Sequence, residues 1–262
     1  AGGYYGKPKA RVATIGSTIS YGAVSTIDSS SDADDGISIG YEQTQNKVLA
    51  CYGTNNNHQH TMCVGTVTGT SIAWGTATNF ESGSTPENGS LPPHGMVWVG
   101  GIGSDTTNRL VCAYESQANN PTARVFTISG TTPSAGASSD FGGSNPNNIC
   151  LAYVGNGQIV AAWLDNASPG NSLWMRPGTV TGGGTNTIQW GVKSINLGSC
   201  YVSSSHTSAI SIAYDQQNSK ILIFFALNSD KKPRWLGGQL TGSGGSLAIT
   251  FSGTVTFDNG VD

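Results

Sequence analysis

Four short phrases follow one another near the end of the chain: Ile210-Ser211-Ile212-Ala213-Tyr214-Asp215, Lys220-Ile221-Leu222-Ile223-Phe224-Phe225, Gln239-Leu240-Thr241-Gly242 and Ile249-Thr250-Phe251. Each is short and rich in β-branched or aromatic residues, and turn formers such as Gln216-Gln217-Asn218 lie between them. Together they predict a four-stranded antiparallel meander with tight hairpins.

The meander repeats. Its third phrase returns as Thr66-Val67-Thr68-Gly69, Thr127-Ile128-Ser129-Gly130 and Thr179-Val180-Thr181-Gly182, with a shortened copy at Thr14-Ile15-Gly16. The closing glycines at 16, 69, 130, 182 and 242 are spaced by 53, 61, 52 and 60 residues, which suits propeller blades. The fourth phrase returns as Ile19-Ser20-Tyr21-Gly22, Ile72-Ala73-Trp74-Gly75 and Ile188-Gln189-Trp190-Gly191, with a degenerate copy over 133–141. Earlier copies of the first two phrases are Ile37-Ser38-Ile39-Gly40-Tyr41 and Ile149 to Tyr153, then Lys47 to Tyr52, Arg109 to Tyr114 and Gln158 to Trp163. No stretch carries a 3.6-residue apolar period over helical length.

The expected fold class is all-β: a β-propeller of four-stranded antiparallel blades forming one domain over residues 1–262. A half blade occupies 1–30, and full blades span about 36–81, 95–141, 148–196 and 209–258. Five or six blades would close the ring. Inner strands are continuously apolar and outer ones alternate, as radially stacked sheets require. The half blade holds two outer strands and no inner pair, so either the chain is part of a longer polypeptide or another segment or subunit supplies the missing strands. Extra residues fall in two connections, 82–95 and 198–208, with His94 and His206 in matching places 112 apart. Such loops are expected on one rim.

The phrases around Ile210 to Asp215 and Lys220 to Ile223, closed by the Thr-Val-Thr-Gly type strand, resemble propeller-like repeats of bacteriophage tail-fibre and other virion-appendage proteins. The resemblance covers the chain from about Val12 to Phe257 and implies recognition of a host surface or glycan. It transfers no functional residue, because the shared positions are strand and turn positions.

Composition narrows the function. Only 10% of residues are charged, 37 are glycine, and the net charge is −3; the usual charged share is roughly 25%. A surface so poor in Lys and Arg excludes nucleic acid as a partner. The longest apolar run, Ile221 to Leu227, is too short to enter a membrane. No charged-then-apolar leader stands before the repeats, so any secretory signal is expected to have been removed already.

Several residues bear on chemistry. Glu42 and Asp215 match across repeats, directly after a strand tyrosine, and are expected to hold hairpins rather than to catalyse. The arginines lie on different strands, and no nucleophile elbow, phosphate loop or zinc signature occurs. Glycoside cleavage is therefore the weakest functional reading, and no catalytic residue is assigned. His58 and His60 share a face at a hairpin tip, where a solvated turn outweighs a metal grip. Asp32, Asp34 and Asp35 form a partial calcium loop lacking the late Glu. Cys51 and Cys63 are equidistant from Asn57, which suggests a cross-strand disulfide, with two buried thiols as the alternative. Trp74 and Trp190 recur at one strand position and are expected between blades. Trp174 with Arg176, and Arg234 with Trp235, offer aromatic faces beside guanidinium donors, an arrangement suited to sugar rings; wedging between blades is the alternative.

The reading that unites these features is an extracellular or virion-surface module that binds a cell-surface glycan or receptor through its rim, as a homo-oligomer or larger appendage. The alternative is a structural subunit whose partial blade is completed by a neighbouring chain.

Overall fold

A computed structural model describes residues 6–42, 45–54, 59–81, 95–100, 107, 109–166, 171–182, 186–194, 197–200, 210–253 and 255–256. The chain opens with β1 (Lys9–Ala10), β2 (Ala13–Ile15), β3 (Ile19–Tyr21) and β4 (Ser25–Thr26), in which β2 pairs with β3 and β1 with β4. Blade 1 comprises β5 (Ala33–Glu42), β6 (Lys47–Thr54), β7 (His60–Thr68) and β8 (Ser71–Trp74), with β9 (Thr78–Glu81) also on β7. Blade 2 comprises β10 (Gly95–Val99), β11 (Arg109–Glu115), β12 (Pro121–Ser129) and β13 (Thr132–Ala135), with β14 (Ser139–Asp140) on β12. Blade 3 is β15 (Pro146–Gly155), β16 (Gln158–Asp165), β17 (Ser172–Val180) and β18 (Ile188–Trp190). Blade 4 is β19 (Ser211–Asp215), β20 (Lys220–Ala226), β21 (Pro233–Thr241) and β22 (Ala248–Phe251), with β23 (Val255–Thr256) on β21. All pairings are antiparallel, and the first strands of successive blades lie side by side. The fold is a β-propeller arc of four blades and a half.

Local chemistry fixes the hairpins. Thr68 opposes Ser71 across a Gly69-Thr70 turn, and Ser129 opposes Thr132 across Gly130-Thr131. Only the glycines take positive φ, 59° and 62°, which is the geometry of a turn with glycine first. Asn156 and Gly157 both take positive φ between Gly155 and Gln158, so this turn is of the mirror-image type that follows strand twist. Asp215 caps its own turn by accepting from the backbone amides of Gln217 and Asn218, and Glu42 accepts from the Gln45 amide. The matching acids are hairpin holders, as the repeat implied.

Cores lie between blades. One cluster joins Leu49, Cys51, Met62 and Val64 of blade 1 to Leu110, Cys112 and Phe126 of blade 2. The next joins Val111, Ala113 and Val125 to Ile149, Ile159, Ala161 and Trp163. The last joins Val160, Ala162, Leu173 and Met175 to Ile210, Ile221, Ile223 and Phe225. Second strands β6, β11 and β16 bury both faces, whereas β8 and β13 alternate or stay exposed. Trp74 and Trp190 pack against inter-blade clusters, as their recurrence suggested.

The supposed Cys51–Cys63 disulfide is corrected. Cys51 opposes Met62, and Cys63 opposes Ala50, so the two thiols point to opposite faces of the sheet. Symmetry about Asn57 was off by one position, and a one-residue slip reverses every side chain. Both cysteines are free and buried, and Cys51 instead lies 3.5 Å (Sγ to Sγ) from Cys112 of blade 2.

Ile37 and Ile149 occupy equivalent places, opposite Tyr52 and Trp163 at the same step of the second strand. Ile149 is 4% exposed and Ile37 is 41% exposed. In urea unfolding, Ile149→Ala is expected to cost about 2–4 kcal/mol and Ile37→Ala under about 1 kcal/mol; equal costs would contradict the open first face.

Candidate functional site

Three side-chain positions recur at every seam between blades. The sixth residue of the second-strand phrase is aromatic: Tyr52, Tyr114, Trp163 or Phe225. Six residues before the closing glycine, the third strand carries Cys63, Arg124, Arg176 or Leu236. The residue closing the preceding blade's outer edge is Asp28, Glu81 or Gly142 at the first three seams.

These positions interlock. At the first seam, Tyr52 Oη donates to Asp28 Oδ2 at 3.0 Å, and Cys63 Sγ reaches the carbonyls of Ile27 and Gly75 at 3.5 and 3.3 Å. At the second, Glu81 Oε2 accepts from Arg124 Nη2 at 2.6 Å and from Tyr114 Oη at 3.2 Å. Arg124 Nε also donates to Tyr114 Oη at 2.7 Å, and Nη1 donates to the Gly136 carbonyl at 3.3 Å. At the third, Arg176 donates to the Gly191 carbonyl at 2.8 Å and to the Phe141 carbonyl at 3.1 Å. Burial raises the Tyr114 phenol well above its ordinary range, against the opposing pull of Arg124. Asp28 is pushed up by burial, but the Ser30 and Tyr52 hydrogen bonds more than offset this and hold it below the usual carboxylate value.

The second seam opens into a cleft of about 620 Å³ bordered by Glu81, Gln117, Asn120, Thr122, Ser138 and Asp140. Its far wall is fixed by a tight turn in which the Ser116 amide donates to the Asn120 carbonyl and Asn119 takes φ 59°. The Arg124 and Tyr114 contacts both fall on Glu81 Oε2, which leaves Oε1 to accept from a ligand. Asp140 receives the Gly142 amide at 2.6 Å. The described lining of the cleft presents amides, hydroxyls and carboxylates and no Lys or Arg. A smaller cleft of about 360 Å³ repeats the plan at the first seam, with Asp28, Ser29, Ser30, Trp74 and Thr76 around it.

The other sequence candidates fall elsewhere. Trp174 and Arg176 do share the third seam, but Lys193 Nζ sits 3.9 Å from the centre of the Trp174 ring and Trp174 packs on the inter-blade cluster. Trp174 is thus partly buried at the seam. Arg234 and Trp235 are on β21, on the next blade, and form no common site with them. Arg234 pairs with Asp230, and Trp235 opposes Phe224 on the uncovered face of blade 4. His94, His206 and most of the loops 82–95 and 198–208 lie outside the described residues.

One turn assignment changes. His60 is not a solvated turn residue: it is buried on β7, its Nε2 is 2.8 Å from the Glu115 carbonyl, and its ring tilts against Tyr114 at 4.9 Å. Burial lowers its basicity. His58 lies outside the described residues. In the acidic stretch, Ala33 begins β5 and the strand is irregular between Ala33 and Ile37. Asp32 pairs with Lys7 at 3.1 Å, and the side chains of Asp34 and Asp35 fall outside the description. Among the described residues, no group of three or more His, Cys, Asp or Glu is arranged to hold a metal. The Glu81–Arg124 clamp escaped the sequence reading. Its only signal was that Arg124 and Arg176 stand at one repeat position, 52 apart.

Comparison with known proteins follows this geometry. No protein family matches the sequence, and no curated protein does. Among solved structures, a triple arginine-to-alanine mutant of AofleA from Arthrobotrys oligospora aligns over 97% of this chain and 65% of its own, with a TM-score of 0.58 and 12% identity. The chain thus spans about two thirds of that neighbour's length. Two structures of a mutant Aleuria aurantia lectin, with Fucα1-6GlcNAc and with α-methyl-L-fucoside, align over 95% of this chain at 15% identity. They cover 79% and 78% of their own chains, with TM-scores of 0.48 and 0.47. At these identities the likeness concerns fold alone.

Glu115 ends β11 beside the second seam, with Oε1 buried and without a hydrogen-bond partner. Burial raises its pKa from 4.5 to about 7. The folded state then holds a proton that the unfolded state has released, so stability falls as pH rises from about 4.5 to 7. The Glu115 contribution to this fall is up to about 3 kcal/mol. His60, kept neutral by burial, acts in the opposite sense. Denaturant unfolding at pH 5 and 7.5 is expected to show that Glu115→Gln removes the falling component; an unchanged pH profile would contradict it.

Proposed function

We propose that this protein binds neutral glycans in the clefts between its blades, with the 620 Å³ cleft of the second seam as the principal site. The observation that supports this most is the Glu81–Arg124–Tyr114 clamp, a carboxylate held in place at the edge of an open, amide- and hydroxyl-lined cleft. Sugar hydroxyls are both donors and acceptors, and fixed partners avoid the entropy cost of ordering them on binding. Glu81 would accept from one hydroxyl, while Gln117, Asn120 and Ser138 would serve others. Among the described lining residues there is no Lys or Arg, and the nearby Arg124 is held by Glu81, Tyr114 and the Gly136 carbonyl, which disfavours sulfated or sialylated chains.

Binding without cleavage is the expected chemistry. Glycoside hydrolysis needs one carboxyl that delivers a proton and another placed across the bond. Glu81 and Asp140 both border the cleft, yet each is engaged by a protein donor, Arg124 or the Gly142 amide. The setting we propose is an extracellular or virion surface, where a polar, weakly charged rim would meet glycans. The similar first-seam cleft supplies a second, weaker site, and linked weak sites gain strength together.

The test is a glycan array followed by calorimetry on the selected sugar. Neutral glycans are expected to bind, with at least tenfold weaker affinity in Gln117→Ala and in Ser138→Tyr, which fills the cleft. Trp174→Phe is expected to leave affinity unchanged. Silence of the array toward all neutral glycans, or equal binding by the filled variant, would refute the site.

A further inference from the structure

We propose that Cys51 and Cys112 form a disulfide during oxidative folding, a covalent staple that ties blade 1 to blade 2 across the second seam. The inference stands apart from glycan binding and rests on where the two thiols fall in the repeat.

The fifth residue of one second-strand phrase and the fourth residue of the next lie on the faces that meet at a seam. At the second seam these are Cys51 and Cys112, with Sγ atoms 3.5 Å apart in the cluster that joins the two blades. At the third seam they are Ala113 and Ala161, and at the fourth Ala162 and Ile223, again within the shared clusters. All six side chains are fully buried. Two alanines fill this gap at the third seam, so the inner strands approach closely there, within the short reach that a disulfide spans. At the second seam both facing positions carry sulfur. The other cysteines meet different groups: Cys63 Sγ lies against the carbonyls of Ile27 and Gly75, Cys150 Sγ is 3.4 Å from the Ile210 carbonyl, and Cys200 belongs to the cluster of the fourth seam.

The chemistry is thiol–disulfide exchange with a small-molecule disulfide such as oxidised glutathione. One cysteine attacks it as the thiolate, releases one small thiol and leaves a mixed disulfide. The second cysteine then attacks the protein-bound sulfur and releases the other small thiol. Two protein S–H bonds and the S–S bond of the oxidant are lost, one protein S–S bond forms, and two electrons and two protons pass to the oxidant. Burial sets the timing. Both thiols are shut off from solvent, and burial pushes the Cys51 thiol well above its ordinary pKa, so exchange proceeds while the seam is forming rather than after it has closed. The same burial shields the finished bond from reductants.

The staple acts on the seam that carries the principal cleft. Cys112 lies two residues before Tyr114 on the same face of β11, so the bond holds in place the strand whose Tyr114 hydroxyl reaches Glu81. Linking residues 61 apart in the chain also restricts the unfolded state.

The test is to refold the chain in a buffer of reduced and oxidised glutathione. The folded product is expected to have lost two hydrogens by mass, to return a Cys51–Cys112 peptide on non-reducing mapping, and to leave Cys63, Cys150 and Cys200 free for alkylation after unfolding. It is expected to melt about 5 °C or more above the reduced protein. Dithiothreitol is expected to cleave the bond quickly only when denaturant opens the seam. Cys51→Ala and Cys112→Ala, which bring in the alanine found at the third seam, are expected to fold, to stay unlinked in the same buffer and to melt close to the reduced protein. Five free thiols in the folded product would overturn the proposal, as would a bond from Cys51 or Cys112 to any other cysteine. Equal melting of the linked and reduced forms would overturn the staple's hold on the seam.

Discussion

No blade in this protein can bury itself. Each sheet is apolar on both faces of its second strand, and a single layer has no second layer of its own to cover either face. The seam between neighbouring blades is the interaction on which the rest depends, because it removes Leu49, Val111, Val160 and their partners from water. Closing that seam brings inner strands side by side, sends the hydroxyl-rich outer strands to the periphery, and leaves clefts between the diverging outer parts of the blades.

The same seam creates the candidate site. A tyrosine at the end of a buried second strand needs a partner for its hydroxyl, and the closing residue of the preceding blade supplies one as Asp28 or Glu81. Where that residue is Gly142, the aromatic is Trp163, and its indole N–H is buried without a partner. Arg124 adds a charge to the second seam, which offsets the cost of holding Glu81 at a partly buried position. The proposed site is then a by-product of satisfying polar groups where two sheets meet. The glycine-closed turns and amide-rich loops add a rim that offers hydrogen bonds with little charge.

Architecture was legible in the sequence because it is written in repetition. Glycines at 69, 130 and 242 mark turns that require positive φ, and apolar phrases at fixed offsets mark strands that must be covered. Single contacts were less legible because they depend on register and on the blade next door. Cys51 and Cys63 looked opposed until a slip of one residue turned them to opposite faces. His60 looked solvated because its neighbours in sequence are polar, but its neighbours in space are Phe80 and Tyr114. Glu81 and Arg124 are 43 residues apart, and no local pattern links them. Trp174 carried the right chemistry for a sugar platform, yet Lys193 occupies its face.

Radial stacking of blade 1 on blade 2 can be read from cysteines already present. Cys51 and Cys112 meet across that seam with sulfurs 3.5 Å apart, although 61 residues separate them in the chain. Mild copper-phenanthroline oxidation of the folded protein, followed by non-reducing peptide mapping, is expected to yield a Cys51–Cys112 linkage. Recovery of a Cys51–Cys63 linkage instead would show that the strands pair in another register and that the blades do not stack as described.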